Sequence, residues 1–133
     1  MLEQEEEASE FLEQNSICGD YANGVYWEMI IVETPIFTKR VKGIMGVEDY
    51  RLLQSELVLR PESGKIIPGS GGLRKLRWTG SGRGKRGGSR LIYYYMRDNK
   101  VILMLFIYAK NETEDLTKDQ IKVLRSIVEE ELK

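Results

Sequence analysis

Four stretches of the chain carry the residue pattern of β-strands. Apolar and basic side chains alternate from Leu73 to Trp78, as in a strand with one face on the core and one wet, cationic face. The segments Ile30–Val32 and Ser89–Arg97 are rich in β-branched or tyrosine residues, which favour strands. Val101–Tyr108 is apolar throughout, which predicts a central strand covered on both faces. A fifth segment, Lys65–Pro68, suits a short edge strand.

Three other segments have helical spacing. Thr34 followed by Pro35 is a hydroxyl cap with proline at the first helical position, and apolar residues continue at helical intervals as far as Ile44. A second amphipathic stretch spans 48–60 and ends before Pro61. Thr117 and Gln120 have the spacing of a capping box, and an apolar stripe follows them to the end of the chain. Three helices are therefore predicted.

The order strand, two helices, three strands, helix predicts an α+β fold. We expect a small, antiparallel-dominated sheet of about four strands, an N-terminal helical hairpin and a C-terminal helix. Asp98–Asn99 is expected to form the turn between the last two strands, and the glycine-rich stretch 79–88 a loop.

Residues 1–28 differ in composition from the rest of the chain. They hold eight acidic residues and no lysine or arginine. Leu2–Gln14 favours an acidic helix, and Cys18–Gly24 a loop. Because Met29 directly precedes the first predicted strand, its codon is a candidate for the natural start of translation. Two interpretations remain open for 1–28: an extension that is not native, or a regulatory acidic arm that shields a basic face. Residues 29–133 form the predicted domain.

The net charge of −1 hides a strongly basic block between Lys65 and Arg97, which contains nine basic residues and no acidic one. Such a block attracts polyanions, and nucleic acid is the first candidate. The single cysteine excludes an intrachain disulfide, and no histidine is present as a general base or metal ligand. No apolar run is long enough to cross a bilayer as a helix, and the glutamate-rich start is unlike a signal peptide. A cytoplasmic protein is expected.

Four stretches carry a resemblance to a known family. They are Val32–Phe37, Gly69–Arg77, Gly82–Tyr95 and Tyr108–Glu112, the last followed by Asp115-Leu-Thr117. In this order, and with the predicted succession of elements, they resemble the RelE/ParE superfamily of bacterial toxins, and its HigB-type branch in particular. The resemblance covers about residues 29–133 and implies the RelE-like toxin fold.

The resemblance implies a toxin of a type II toxin–antitoxin system. Such toxins enter the A site of the 70S ribosome and cleave the bound mRNA without a metal or other cofactor. The 2′-hydroxyl attacks the adjacent phosphate and leaves a 2′,3′-cyclic phosphate, so translation stops. The implied partners are ribosomal RNA and mRNA, a cognate helix-turn-helix antitoxin and, through the toxin–antitoxin complex, operator DNA. No membrane partner is expected.

Carried over by position, the resemblance assigns the catalytic role to Lys75, Arg77 and Arg90. Lys75 is the expected base or phosphate contact, because neighbouring cations depress the pKa of a lysine and no histidine is available. Arg77 and Arg90 are expected to stabilise the charge that develops on the phosphorane. Which residue acts as base and which as acid stays open at this point.

The chain also departs from the family pattern. Asn111 stands where the family has an arginine after the lysine of its last strand, and Thr117 where it has a tyrosine. Substitutes are expected among the remaining candidates for catalysis or RNA binding, which are Arg74, Arg83, Lys85, Arg86, Tyr108, Lys110 and Glu112. Among them, Lys110 is the candidate acid. Glu112 suits either a proton acceptor or, more readily, a carboxylate that holds an arginine in place.

Two other functions fit the same pattern. One is a ParE-like inhibitor of DNA gyrase with the same fold and no RNA cleavage. The other is a non-catalytic RNA-binding or repressor-accessory protein, which the substitutions at Asn111 and Thr117 favour. The clustering of Lys75, Arg77 and Arg90 on adjacent predicted strands favours the nuclease, because gyrase inhibition does not require a phosphate site.

Overall fold

A six-stranded sheet organises the computed structural model, which describes residues 13–18, 28–79, 88–113 and 115–132. The strand order is β1-β2-β6-β5-β4-β3. The strands are β1 (Glu13–Cys18), β2 (Glu28–Glu33), β3 (Lys65–Ile66), β4 (Arg74–Trp78), β5 (Ser89–Met96) and β6 (Val101–Ala109). The helices are α1 (Pro35–Ile44), α2 (Val47–Leu59) and α3 (Lys118–Leu132).

The predicted α+β class and the dominance of antiparallel pairing are confirmed. All neighbouring strands are antiparallel except β2 and β6, which are parallel. The sheet is larger than the four strands expected, because β3 pairs at one edge and β1 at the other. β1 was not predicted: Gln14, expected in a helix, and Cys18, expected in a loop, both belong to it. The rest of the predicted acidic helix, residues 2–12, lies outside the described residues.

The start of α1 follows the sequence prediction closely. The Thr34 hydroxyl accepts a hydrogen bond from the Phe37 amide at 3.1 Å and donates one to the Leu105 carbonyl of β6 at 2.8 Å. One side chain therefore caps the helix and ties it to the sheet. Helices α1 and α2 pack against one sheet face, where the core includes Phe37, Leu53 and Leu57.

A buried carboxylate fixes β2 to both of these helices. Glu33, at the end of β2, is only 4% exposed. Its carboxylate accepts hydrogen bonds from the hydroxyls of Thr38 in α1 and Tyr50 in α2. Because burying a polar group is costly unless it is hydrogen-bonded, these contacts specify how the helical pair sits against the sheet.

Helix α3 covers part of the opposite face, and its predicted capping box is present. The Thr117 amide donates to the Gln120 side-chain oxygen at 2.8 Å, and the Gln120 amide donates to the Thr117 hydroxyl at 3.1 Å. Leu124 and Val128 pack against sheet residues in a second core cluster. Among the described helices, none is both long enough and apolar enough to span a membrane.

The predicted turn between β5 and β6 is centred on Asp98–Asn99. The paired strands end at Met96 and Val101, so the loop has four residues instead of two. The Lys100 amide donates to the Arg97 carbonyl at 3.3 Å, and Lys100 has a positive φ of 54°. The turn lies at the end of β6 opposite Ala109, away from the basic cluster described next.

Candidate nucleic-acid interface

The two faces of β4 carry different kinds of side chain. Leu76 and Trp78 pack against the core beneath α1 and α2. Because side chains alternate along a strand, Lys75 and Arg77 point to the opposite face, about 6.6 Å apart at ~3.3 Å per residue. Neither is buried, and Arg77 is exposed. The alternation seen in the sequence thus separates an apolar face from a cationic one.

The strand register brings Arg77 and Arg90 together. Arg77 of β4 lies directly opposite Arg90 of β5, and Arg90 lies opposite Tyr108 of β6. These three residues form a row across three strands on one face, with opposed Cβ atoms ~4.5–5.5 Å apart. Like charges at directly opposed positions destabilise a sheet. A bound anion would relieve this repulsion, which makes the row a candidate phosphate site.

Gly88 brings the ends of β4 and β5 close enough for this row to form. Its φ is +61°, in the left-handed region that favours glycine. A Cβ atom built on it would lie 2.2 Å from the Trp78 carbonyl oxygen. The close approach of the two backbones, one residue beyond Arg77 and two before Arg90, therefore requires glycine.

Lys75 has an acidic partner that the sequence reasoning did not anticipate. Its Nζ lies 2.7 Å from Oδ1 of Asp115, and both side chains are partly exposed. The expectation that only cations surround Lys75 was therefore incomplete, because Asp115 neutralises part of the positive charge here. Asp115 belongs to one of the stretches that carry the family resemblance, but nothing in that stretch indicates its pairing with Lys75.

Tyr108 is buried at the end of the basic row. It is 1% exposed, and its hydroxyl has no hydrogen-bond partner among the described residues. Burial and the negative charge of Asp115 raise the pKa of Tyr108, while the positive charge of Arg90 acts in the other direction. The hydroxyl is consequently a neutral donor near neutral pH, next to the cations.

Glu112 holds an arginine, as the sequence favoured. Its Oε2 lies 2.5 Å from a terminal guanidinium nitrogen of Arg40, and its Oε1 accepts the Ala109 amide at 3.1 Å. These two contacts lower the pKa of Glu112, with the backbone hydrogen bond from Ala109 as the larger cause. Glu112 is therefore ionised at neutral pH and engaged in structure.

Arg40 itself was not identified from the sequence as part of this region. Its Nε donates to the Ile107 carbonyl at 2.7 Å, and its guanidinium lies 4.9 Å from the centroid of the Phe106 ring. Together with the Glu112 pair, these contacts clamp the end of β6 to α1. This clamp holds the end of β6 that carries Tyr108.

The other candidates are more dispersed. Arg74 belongs to the face opposite Lys75 and donates to the backbone carbonyls of Glu62 and Gly64. Lys110 is exposed in the turn after β6, with Asn111 beside it. Thr117 caps α3. The remaining three candidates, Arg83, Lys85 and Arg86, lie outside the described residues.

The consecutive tyrosines of β5 mainly serve packing. Tyr93 is fully buried, and its hydroxyl donates to the Pro61 carbonyl and accepts the Gly64 amide, both at 2.8 Å. The guanidinium of Arg125 lies 5.8 Å from the centroid of the Tyr94 ring. Tyr93 and Tyr94 therefore make their contacts within the protein, and stacking on an RNA base would fall to other residues of the sheet.

Comparison with known proteins supports the sequence resemblance. Residues 29–133 match the family model described as "RelE toxin of RelE / RelB toxin-antitoxin system". The match covers well over half of the chain and leaves out the acidic N-terminal segment. Within the described residues, no group of three or more histidine, cysteine, aspartate or glutamate side chains is placed to hold a metal ion.

Proposed function

This chain belongs to the RelE toxin family of toxin–antitoxin systems, and from that premise we propose that it is a ribosome-dependent endoribonuclease that cleaves mRNA in the A site. The observation that carries this proposal is the cationic face formed by Lys75, Arg77 and Arg90. Two of these side chains stand directly opposite each other, and the third is two residues away on the same face. A phosphate contacted by all three would experience a preorganised positive field.

The proposed reaction is an internal transesterification. Lys75 accepts the proton of the 2′-hydroxyl, and the 2′-oxygen forms a bond to the adjacent phosphorus. Arg77 and Arg90 stabilise the negative charge of the phosphorane. The bond from phosphorus to the 5′-oxygen then breaks, and Lys110 donates a proton to the departing oxygen. The products are a 2′,3′-cyclic phosphate and a 5′-hydroxyl, and the proposed mechanism draws on no metal ion.

The surroundings of Lys75 support a role that depends on substrate. In the free protein its ammonium group is paired with Asp115. An RNA strand that displaces this carboxylate would free the amine of Lys75 to accept the proton of the 2′-hydroxyl, so RNA binding changes the environment of the lysine.

Membership of the family also implies an antitoxin partner. We propose that this partner is a helix-turn-helix protein, that the complex binds operator DNA through it, and that the toxin acts in the cytoplasm on the 70S ribosome. Neutralising the cationic face by an antitoxin would silence the toxin by the same electrostatics that attract RNA.

Mapping of mRNA 5′ ends after expression in cells tests the proposal. We expect codon-phased cuts with the wild-type chain and their loss with Lys75→Ala or Arg90→Ala. Matched controls are Lys42→Ala and Arg51→Ala, which change exposed cations on α1 and α2, and these should leave the cuts unchanged.

The same experiment separates the alternatives. Growth arrest accompanied by DNA damage, with transcripts left intact, would indicate gyrase inhibition instead of RNA cleavage. Ribosome binding without new 5′ ends would indicate a non-catalytic RNA-binding protein, consistent with Asn111 and Thr117 in place of two family residues.

A further inference from the structure

A cleft of about 260 Å³ opens beside the basic row and shares Lys75 and Tyr108 with the proposed phosphate site. Its walls are apolar and come from the β3–β4 connection, β5 and the start of α3. Lys75 and Asp115 stand at the cleft, and Tyr108 contributes to its lining. The apolar residues of the lining are Ile67, Pro68, Ile92, Leu116 and Ile121.

The size and chemistry of the cleft suit one planar ring system. Sites for drug-sized ligands are roughly 300–1,000 Å³, so this cleft is too small for a dinucleotide. Single-stranded RNA is recognised through bases that leave the stack, pack against apolar or aromatic side chains and form hydrogen bonds along their edges. The cleft offers apolar walls together with a carboxylate, an ammonium group and a buried hydroxyl.

Tyr108 is the second observation that points to a ligand here. Its hydroxyl is buried and has no hydrogen-bond partner among the described residues. Because buried polar groups are nearly always paired, an unpaired hydroxyl in the lining of a cleft is best explained by a partner that arrives with the ligand. A ring nitrogen or carbonyl of a base would accept its proton.

We propose that this cleft is a nucleobase subsite in which Asp115 accepts a hydrogen bond from an exocyclic amino group. The inference rests on the proposed function, because the base must belong to the RNA strand whose phosphate lies at Lys75, Arg77 and Arg90. When the RNA displaces Asp115 from Lys75, which lies 2.7 Å away in the free protein, the carboxylate becomes an acceptor for the base.

A preference among bases follows from the acceptor chemistry. Adenine, cytosine and guanine carry an exocyclic amino group, whereas uracil has carbonyl oxygens at the edge of its ring and only its ring N3–H as a donor. The subsite should therefore disfavour uracil at one position next to the cleaved bond. A good base contact contributes 1–3 kcal/mol, which corresponds to roughly 5- to 150-fold discrimination.

The first test measures binding without cleavage. The four 2′-deoxynucleoside 3′,5′-bisphosphates are titrated into the full chain by calorimetry, since they carry a base and phosphates but no attacking hydroxyl. We expect uracil to bind at least five-fold more weakly than the other three, and this difference to vanish in Asp115→Ala. Asp98→Ala, an exposed carboxylate at the opposite end of β6, should retain it. Equal affinity for all four ligands in the wild-type chain would overturn the subsite.

The second test uses cleavage and separates this inference from the proposed function. Messenger RNAs that differ in one base of the A-site codon are cut by the wild-type chain and by Asp115→Ala. A smaller ratio between the cutting rates of favoured and disfavoured bases in Asp115→Ala than in the wild-type chain supports the subsite, whatever the change in overall rate. An unchanged preference refutes the subsite and leaves the nuclease standing. If the wild-type chain binds bases selectively but cuts no RNA, the nuclease proposal fails while the subsite stands.

Discussion

The clamp between Glu112 and Arg40 leads to a prediction that separates structure from catalysis at this end of the sheet. Glu112→Gln removes the charge from a pair whose atoms lie 2.5 Å apart, with side chains 29% exposed for Arg40 and 44% for Glu112. Exposed pairs contribute ~0.2–1 kcal/mol, and hydrogen bonds to charged groups ~1.5–3 kcal/mol. Because this pair is partly exposed, we expect Glu112→Gln to lower the free energy of unfolding by about 1 kcal/mol, a value between these two ranges. Glu112→Ala also removes the acceptor of the Ala109 amide and should lose about 1 kcal/mol more.

Urea unfolding at two pH values measures this contribution and its cause. The slope of ~1–3 kcal/mol per molar urea converts 1 kcal/mol into a midpoint shift of roughly 0.3–1 M. The pKa of Glu112 is lower in the folded chain than in the unfolded one. Its contribution is therefore fully present above the unfolded value and is lost as the pH falls through the folded value. The difference between wild type and Glu112→Gln should be seen at pH 7 and shrink below about pH 4.

A matched control exists in α3. Glu129 pairs with Arg125 at 3.3 Å on an exposed helix surface, so Glu129→Gln should cost at most about 0.5 kcal/mol. RNA cleavage by Glu112→Gln should stay within a few-fold of wild type, since Glu112 acts by holding Arg40. A hundred-fold loss of cleavage with unchanged stability would refute the structural role and make Glu112 a proton carrier. An equal loss of stability at both pH values would refute the charge argument.

Three further changes test how the site is built. Gly88→Ala places a Cβ atom against the Trp78 carbonyl at positive φ. Circular dichroism melts should therefore show a loss of stability of at least about 1–2 kcal/mol, and RNA cleavage should fall. The control Gly43→Ala meets no atom within 4 Å, so it should be neutral or stabilising and should affect cleavage less. Tyr93→Phe leaves the buried Gly64 amide and the partly buried Pro61 carbonyl without this partner, which should lower the free energy of unfolding in urea by about 1–3 kcal/mol. Cleavage by the folded fraction should be kept, and unchanged stability would contradict this. Deleting residues 1–12 removes five acidic and no basic residues but spares β1. RNA affinity, most clearly at low salt, and toxicity in growth assays should therefore be equal to those of the full chain or higher. A loss of toxicity would argue against a shielding arm.

Local features of the fold were predictable because they depend on neighbouring residues. The cap at Thr34, the capping box from Thr117 to Gln120 and the turn at Asp98–Asn99 each follow from a few adjacent side chains. The amphipathic pattern of 73–78 likewise predicted which face of β4 is wet. These features fixed the class of fold and the order of its elements from β2 onward.

Long-range features were not predictable in the same way. The sequence placed Arg77 and Arg90 on adjacent strands, but only the register shows that they stand opposite each other. The pair between Lys75 and Asp115 joins residues forty positions apart, and no local pattern encodes it. The contact of Arg40 with the end of β6 has the same origin. Tertiary packing, not propensity, determines such contacts, so the candidate site could be only partly drawn from the sequence.

The central claim is that Lys75, Arg77 and Arg90 promote attack of a 2′-hydroxyl on the adjacent phosphate of an mRNA bound in the ribosomal A site. The most direct measurement supplies purified chain and programmed ribosomes with two mRNAs that differ only by a 2′-deoxy substitution at the cleaved nucleotide of the A-site codon. The account predicts a cut with a 2′,3′-cyclic phosphate end in the unmodified mRNA, none in the deoxy mRNA, and no cut in either with Arg90→Ala. Cleavage of the deoxy mRNA, or intact unmodified mRNA on ribosomes that bind the toxin, would contradict it.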